Sequence, residues 1–209
     1  MDYEKDPKRI KELSKFDGII VPGGFGSRGI EGILKVIEYA RVHKIPYFGL
    51  CYGMQLMVIE YARNVLKIKD ANTREVNPHA SHLVIDVMED QKEKIEKKKL
   101  GGSMRLGAYP CELKKGTVAE RAYGTNIILE RHRHRYEVNN TYRERLEKAG
   151  LVFSGLSPDQ TLCEIAELPT KAHPFFLGTQ FHPEFKARPL SPHPLFTAFA
   201  KACLKNKKK

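Results

Sequence analysis

The sequence lacks any run of roughly 18 uninterrupted apolar residues, which is the length that spans a bilayer as a helix. This absence excludes a helical membrane protein. The polar, mixed-charge segment Met1–Asp6 also lacks the apolar core of a secretion signal. Cysteine is scarce, and no Cys-x-x-Cys or Cys/His metal spacing occurs, so no metal site is expected. The wide separation of the cysteines predicts free thiols in a reducing cytoplasm; they are Cys51, Cys111, Cys163 and Cys203.

Acidic residues are the minority charge. The chain has 25 Asp and Glu against 36 Lys and Arg, a formal net charge of +11. Part of the excess lies in two runs, Lys92–Lys99 and Lys205–Lys209. Neither run has interleaved aromatics or a nucleic-acid-binding motif, so we expect a solvated loop and a basic tail, with no nucleic acid partner. Attraction to a nucleotide, an RNA or an acidic partner is the alternative, and RNA binding would weaken steeply with salt.

The length of 209 residues and the 41% hydrophobic content suit one domain with a single core. Asp17–Pro22 and Ile45–Leu50 are predicted strands, and each precedes a helical pattern, Ile30–Ala40 and then a helix through about Leu66. This alternation predicts an α/β fold with a central, mostly parallel sheet flanked by helices. The remaining predicted elements are helices at Lys8–Lys15, Tyr142–Ala149 and after Pro194, and strands at His82–Val87, Thr125–Tyr136, Phe153–Ser157, Leu162–Glu167 and Phe175–Phe181.

Cys51 lies between a predicted strand and a predicted helix, in Gly49-Leu-Cys-Tyr-Gly53. Small residues on both sides allow a sharp turn that lifts the side chain off the sheet. The helix N-terminus would then point at the sulfur and favour a thiolate. The amide of Tyr52 would be free to donate to an oxyanion. The pattern alone fits a buried structural cysteine equally well.

A cysteine nucleophile needs a base and a group that orients it. His182 and Glu184, in Phe-His-Pro-Glu-Phe, follow an apolar strand and would stand at its carboxyl end. The carboxylate can hold one ring nitrogen while the other faces a sulfur. A third motif, Pro22-Gly-Gly-Phe-Gly26, offers backbone amides to a ligand but lacks the Gly-x-Gly-x-x-Gly of a dinucleotide loop. We therefore interpret it as a second oxyanion donor.

These three motifs, in this order, resemble the class I (triad-type) glutamine amidotransferases. Two further stretches, Gly101–Gly107 and Glu130–Asn140, are similar to the C-terminal glutaminase domains of CTP synthases within that family. Asp70–Glu75 and His193–Phe196 also match, so the resemblance runs from about Asp17 to the end. It implies a flavodoxin-like α/β fold and hydrolysis of L-glutamine through a glutamyl thioester.

The resemblance also implies partners. Ammonia from glutamine would pass to a separate amidoligase (synthase) domain, which converts UTP to CTP with ATP. No cofactor is expected in this chain, since ATP and Mg²⁺ would serve the amidoligase domain and GTP would act as an effector. The full-length protein would be a homo-oligomer.

By motif position, the resemblance implies a catalytic triad of Cys51 as nucleophile, His182 as general base and then acid, and Glu184 as its orienter. Backbone amides of Gly24 and Tyr52 would form the oxyanion hole. The residues implied to hold glutamine are Gly24, Tyr52, Gly53, Met54, Gln55, Glu75 and Arg135. A cation such as Arg135 suits the α-carboxylate, and a carboxylate such as Glu75 suits the α-ammonium. Phe25 and Arg28 would face the amidoligase domain and GTP.

The sequence departs from the family pattern in three places. Tyr52 stands where Leu is usual, and Arg74 precedes Glu75 where a small polar residue is expected. Residues 1–16 contain no apolar strand, so the family's first strand and helix are expected to be missing, which would leave a sheet edge exposed. We expect a polar segment at 1–16, a glutaminase domain at 17–204 and a basic tail at 205–209.

No amidoligase domain is present in the sequence, so a fragment is the expected state and the chain alone is predicted not to make CTP. Two alternatives stay open. One is another enzyme of this fold, either a different triad amidotransferase or a γ-glutamyl peptidase. The other is a catalytically silent regulatory or assembly module.

Overall fold

The computed structural model describes residues 3–4, 6–87 and 104–207. These residues form ten strands: β1 (Ile19–Val21), β2 (Tyr47–Leu50), β3 (Ala71–Thr73), β4 (His82–Val87), β5 (Arg105–Leu113), β6 (Ile127–His134), β7 (Tyr136–Val138), β8 (Val152–Leu156), β9 (Cys163–Glu167) and β10 (Phe176–Thr179). The α-helices are α1 (Ile30–Val42), α2 (Tyr52–Asn64), α3 (Val118–Tyr123), α4 (Arg143–Lys148) and α5 (Pro194–Asn206). Short 3₁₀ helices are Pro7–Lys15, Asn140–Tyr142 and Pro183–Phe185. The run Lys92–Lys99 and the start of the Gly101–Gly107 motif lie outside the described residues.

The α/β class is confirmed, with one correction to the sheet. A seven-stranded sheet has the order β1-β2-β10-β9-β8-β5-β6, and a three-stranded sheet has the order β3-β4-β7. In the described part of the large sheet, parallel pairing occurs between β1 and β2 and between β2 and β10, and the other neighbours are antiparallel. The sheet is therefore mixed, and the expectation of a mostly parallel sheet was wrong. The connections 157–162 and 168–175 are too short for a helical crossover, so β8, β9 and β10 pair as antiparallel neighbours.

Helix α2 lies at the centre of the molecule. It packs against α1 and against strands of both sheets. Every residue of α2 from Tyr52 to Ala62 is therefore buried. A helix that is enclosed on all sides cannot tilt without disturbing both sheets. Whatever its N-terminus carries is consequently held in a fixed position.

The two ends of the chain frame this core. The 3₁₀ helix at Pro7–Lys15 agrees with the predicted helix at Lys8–Lys15, and its Leu13 is buried. In the described part of the chain no strand precedes β1, which forms one edge of the large sheet. Helix α5 extends through Asn206, so the first residues of the segment 205–209 are helical. Across the described ranges, no helix has the length and apolarity needed to cross a membrane.

Candidate functional site

The turn between β2 and α2 presents Cys51. Its backbone has φ 49°, in the left-handed region, and its amide donates to the carbonyl of Thr179 on β10 at 2.6 Å. A side chain at position 53 would bring its first carbon to 2.2 Å from the carbonyl oxygen of Val21. At Gly49 the same carbon would lie 2.7 Å from the backbone of Gly53. The two glycines are therefore what allows the helix to start directly over the sheet and to raise Cys51 at its edge.

The side chains of His182 and Cys51 both lie close to Gly23. A first side-chain carbon at Gly23 would lie 2.9 Å from Cε1 of His182 and 3.9 Å from Cβ of Cys51. Nδ1 of His182 lies 2.7 Å from Oε1 of Glu184, and the ring stacks on Phe185 with centroids 4.5 Å apart. Nε2 of His182 is buried and has no hydrogen-bond partner among the described residues. The histidine is thus fixed through one nitrogen and leaves the other available for a proton.

The surroundings of Cys51 favour its thiol form. Burial raises its pKa to about 12, and the nearby carboxylates of Glu137, Glu184 and Glu75 raise it further. A hydrogen bond from the backbone of Tyr52 acts in the opposite direction but is weaker than the effect of burial. Burial therefore opposes the thiolate that the helix N-terminus was expected to favour.

Cys51 and His182 line a cavity of about 650 Å³. Four predicted glutamine-binding residues share it, Gly24, Gln55, Glu75 and Arg135, together with Glu184 and Phe25. Gly53 and Met54 are not among its lining residues, because both pack inward: Met54 is fully buried, with its Cβ against Gly178. Arg28 is exposed and does not line the cavity.

Opposite charges occur within this cavity. Glu75 accepts a hydrogen bond from the amide of Gly26 at 2.9 Å, which ties the glycine-rich loop to the cavity wall. Nε of Arg135 is buried without a hydrogen-bond partner in the described part of the chain. Gln55 donates to the carbonyl of Tyr136 at 3.0 Å. A cation and an anion in one cavity suit a zwitterionic ligand such as an amino acid.

The two unusual residues of the motifs have structural roles. The hydroxyl of Tyr52 donates to the carbonyl of Gly26 at 2.5 Å, so the larger side chain braces the glycine-rich loop. Arg74 forms an ion pair with Asp86 on β4, in which Nη2 lies 3.0 Å from Oδ2. Neither residue lines the cavity. Both substitutions therefore leave the space beside Cys51 open.

Sequence reasoning missed Gln180. Its amide nitrogen lies 3.7 Å from the sulfur of Cys51, and its amide oxygen lies 3.3 Å from Nε2 of Gln55. It stands two residues before His182 just beyond β10, and that spacing was its only signal. His134 also lines the cavity. Among the described residues, no cluster of three or more His, Cys, Asp or Glu side chains is arranged to hold a metal ion.

Comparison with known proteins agrees with this geometry. The family model for glutamine amidotransferase class-I matches residues 1–202. The chain belongs to the class-I glutamine amidotransferase family. The CTP synthase of Carboxydothermus hydrogenoformans is 60% identical over 205 residues, which are 98% of this chain and 37% of that protein. The CTP synthase of Aquifex aeolicus is 56% identical over 201 residues, 96% of this chain and 37% of its own length.

Two solved structures share the fold of this amidotransferase chain. The Trypanosoma brucei CTPS glutaminase domain with bound acivicin has a TM-score of 0.88 and 40% identity, and the match covers 97% of this chain and 76% of that one. A glutamine amidotransferase from Thermotoga maritima shares the fold, with a TM-score of 0.51 and 13% identity, and the match covers 100% of this chain and 80% of that one. The chain corresponds to the glutaminase domain of CTP synthases. It spans just over a third of the length of the curated relatives it matches.

Proposed function

We propose that this chain hydrolyses L-glutamine to glutamate and ammonia, with Cys51 as the nucleophile. One observation carries the proposal: Cys51 and His182 meet across Gly23 at the edge of a single cavity, with His182 held by Glu184. A thiol, an imidazole with one available nitrogen, and a carboxylate on the other nitrogen are the parts of a cysteine hydrolase triad. The family membership and the acivicin bound to the T. brucei glutaminase domain support a glutamine-derived substrate.

Substrate binding uses the charges of the cavity. The substrate α-carboxylate binds Arg135, whose buried Nε lacks a partner within the described ranges. The α-ammonium binds Glu75. The side chain of Gln55, which lines the cavity at the first turn of α2, completes the site. This arrangement directs the side-chain amide of glutamine towards Cys51.

Acylation consumes the thiol proton. As the sulfur of Cys51 attacks the amide carbon, Nε2 of His182 takes the proton, and Glu184 stabilises the resulting imidazolium. The amides of Tyr52 and Gly24 receive the developing oxyanion. His182 then returns the proton to the leaving nitrogen, so that ammonia departs and a glutamyl thioester remains. Because burial keeps the resting sulfur protonated, proton transfer and attack belong to the same step.

Deacylation repeats the sequence with water. His182 removes a proton from water, the hydroxide adds to the thioester carbon, and the sulfur leaves as it regains the proton from His182. Glutamate is released and the free thiol is restored. The same two amides stabilise the second tetrahedral intermediate.

The ammonia serves a second domain. We assign it to the amidoligase domain of CTP synthase, which would use it with ATP and Mg²⁺ to convert UTP to CTP, a step that this chain does not perform alone. Phe25 is 89% exposed at the cavity rim and suits contact with that domain. Regulation by GTP, homo-oligomer formation in the full-length protein and a cytoplasmic location belong to the same proposal.

Glutamate release from L-glutamine tests the proposal. Cys51→Ser is expected to lower the rate by at least about 10³-fold, because a hydroxyl is a far weaker nucleophile in a site built for sulfur. Cys203→Ser is the control, since Cys203 lies in α5 away from the cavity. Equal rates for the Cys51→Ser variant and the unchanged chain would refute the role of Cys51. A folded chain without turnover would favour the silent regulatory module instead.

A further inference from the structure

The end of strand β6 forms a wall of the proposed site through its backbone. The carbonyl of Arg131 accepts a hydrogen bond from the amide of His182 at 2.8 Å. The carbonyl of Arg133 lies 4.0 Å from the sulfur of Cys51. Arg135 follows directly and lines the same cavity. A shift of this short stretch would therefore displace Arg135 together with the two carbonyls that lie next to His182 and Cys51.

The inward side chains of this stretch are two histidines. Residues of β6 alternate between exposed and buried positions, so that Arg131 and Arg133 face outward while His132 and His134 face inward. His132 and His134 are 2% and 5% exposed, and Nδ1 of His132 lies 2.8 Å from Nε2 of His134. This hydrogen bond joins the two inward positions that flank the carbonyl of Arg133.

Buried charged side chains lie beyond both ends of the pair. Nε2 of His132 lies 3.5 Å from Glu164, and Nδ1 of His134 lies 3.4 Å from Glu137. Arg105 connects the two carboxylates, with Nη1 2.7 Å from Glu164 and 3.6 Å from Glu137. All five side chains are buried. These contacts link β6 to β5, β9 and β7.

Burial favours the neutral form of both imidazoles, and the geometry of their contact is compatible with it. Burial, together with the nearby Arg105 guanidinium, lowers the pKa of His132 to about 2 and that of His134 to about 3. Two neutral rings can form one N–H···N hydrogen bond, since one ring donates and the other accepts, whereas two cations would repel. The pair is therefore a permanent structural link over the physiological pH range.

We propose that His132 and His134 are positioning residues for glutamine hydrolysis: their mutual hydrogen bond fixes the end of β6, whose carbonyls contact Cys51 and His182. The inference rests on the proposed function and adds two residues that act through the backbone of β6. Their effect on the reaction is through the placement of the catalytic pair. A displacement of about 1 Å at such a wall costs roughly 10- to 100-fold in turnover.

Substitutions by Asn and Gln test the hydrogen bond between His132 and His134 separately from the size of the side chains. An Asn side chain places its polar group near the Nδ1 position of histidine, and a Gln side chain places it near Nε2. His132→Asn and His134→Gln therefore keep a polar group at the contact, whereas His132→Gln and His134→Asn remove it. We expect the first two variants to retain kcat for glutamine within about threefold. We expect the second two to lose roughly 10- to 100-fold in kcat with a smaller change in KM.

Two further measurements make the outcome decisive. The thermal midpoint of each variant shows how much of the folded structure is affected, and the rate of Cys51 alkylation by iodoacetamide, located by peptide mapping, reports on the sulfur without glutamine. Equal kcat for the Asn and Gln variants of each histidine, or a loss of kcat that simply follows the loss of thermal midpoint, would overturn the proposal.

If the unchanged chain fails to hydrolyse glutamine, the proposed function fails. The alkylation rates of Cys51 still test the hydrogen bond between His132 and His134 in that case. Altered Cys51 alkylation only in His132→Gln and His134→Asn would support it, and unaltered rates in all four variants would refute it.

Discussion

At the scale of single residues, the proposed reaction depends on His182 to remove the proton of the Cys51 thiol. Cys51 is a buried thiol whose pKa is raised to about 12, while His182 is held by Glu184 at 2.7 Å and leaves Nε2 available. Catalysis then depends on the carboxylate that orients and charges the imidazole.

Glu184→Gln tests this dependence. The amide keeps the size of the side chain but can donate to Nδ1 of His182, which would select the wrong tautomer and would not stabilise an imidazolium. We expect kcat to fall by roughly 10²- to 10⁴-fold with little change in KM for glutamine. Glu144→Gln, on the exposed face of α4, is the matched control. Steady-state glutamate release measures both, and a Glu184→Gln variant with full kcat would contradict the triad.

The places of the three proposed triad residues in the fold could be predicted from the sequence, because these residues lie in short motifs at strand ends. Cys51, His182 and Glu184 each occupy the predicted position. The raised pKa of Cys51 could not be predicted, since it depends on burial by segments that are distant in the sequence. Gln180 was missed for a related reason: its amide reaches Cys51 only because β10 and β2 are neighbours.

At the scale of elements, the strand-to-helix turn at Cys51 depends on close contact between α2 and β1. Gly53 lies where any side chain would meet the carbonyl of Val21 at 2.2 Å. Backbone atoms cannot move aside as a flexible side chain can, and α2 is enclosed on all sides. The position of Cys51 therefore depends on glycine at this contact.

Gly53→Ala is predicted to lose roughly 1–3 kcal/mol of unfolding free energy, because the added methyl group overpacks the first turn of α2. Gly32→Ala in α1 is the control, since its added carbon would make a tight contact of 3.2 Å with the backbone of Glu4, which is 1.0 Å longer than the contact at Gly53, and alanine favours the helix. Denaturant unfolding of the two variants gives the comparison. Equal stability for both would show that the turn has room for a side chain.

Most helices and strands could be predicted, and the misses have two causes. The predicted strand at His82–Val87 and the helical pattern through Ile30–Ala40 agree with β4 and α1. Strand β5 was not predicted, because Gly107 and Pro110 are typical strand breakers, yet Pro110 is exposed and pairs opposite Leu129 in the long hairpin with β6. Pairing direction in the sheet was also mispredicted, since it depends on connection lengths rather than on local pattern.

At the scale of the whole molecule, buried histidines connect stability to pH. The pKa values of His132 and His134 are lowered in the folded protein, so below about pH 6.5 the unfolded chain binds protons that the folded chain does not. Their contribution to stability is complete above pH 6.5 and is lost as the pH falls. Glu164 acts in the opposite sense, because burial raises its pKa to about 7 in the folded state despite Arg105.

His134→Gln should make the protein less sensitive to acid. The variant removes one of the two depressed histidines, while the groups around it remain, namely His132, Arg105, Glu137 and His182. Between pH 7 and pH 5 a histidine of this kind accounts for about 2 kcal/mol of lost stability. We therefore expect a smaller drop of the thermal midpoint over that interval than in the unchanged chain. An identical drop would show that His134 is not neutral in the folded protein.

The most direct test of the account is the intact mass of the folded chain after incubation with a diazoketone analogue of glutamine, with the adduct located by peptide mapping. We expect one adduct, on Cys51. Glutamine should prevent its formation by competition, and the substitution His182→Gln should slow it strongly. Circular dichroism confirms that each sample is folded. A folded chain without an adduct, or with its adduct on Cys111, Cys163 or Cys203, would contradict the claim that Cys51 and His182 form a glutamine-hydrolysing site.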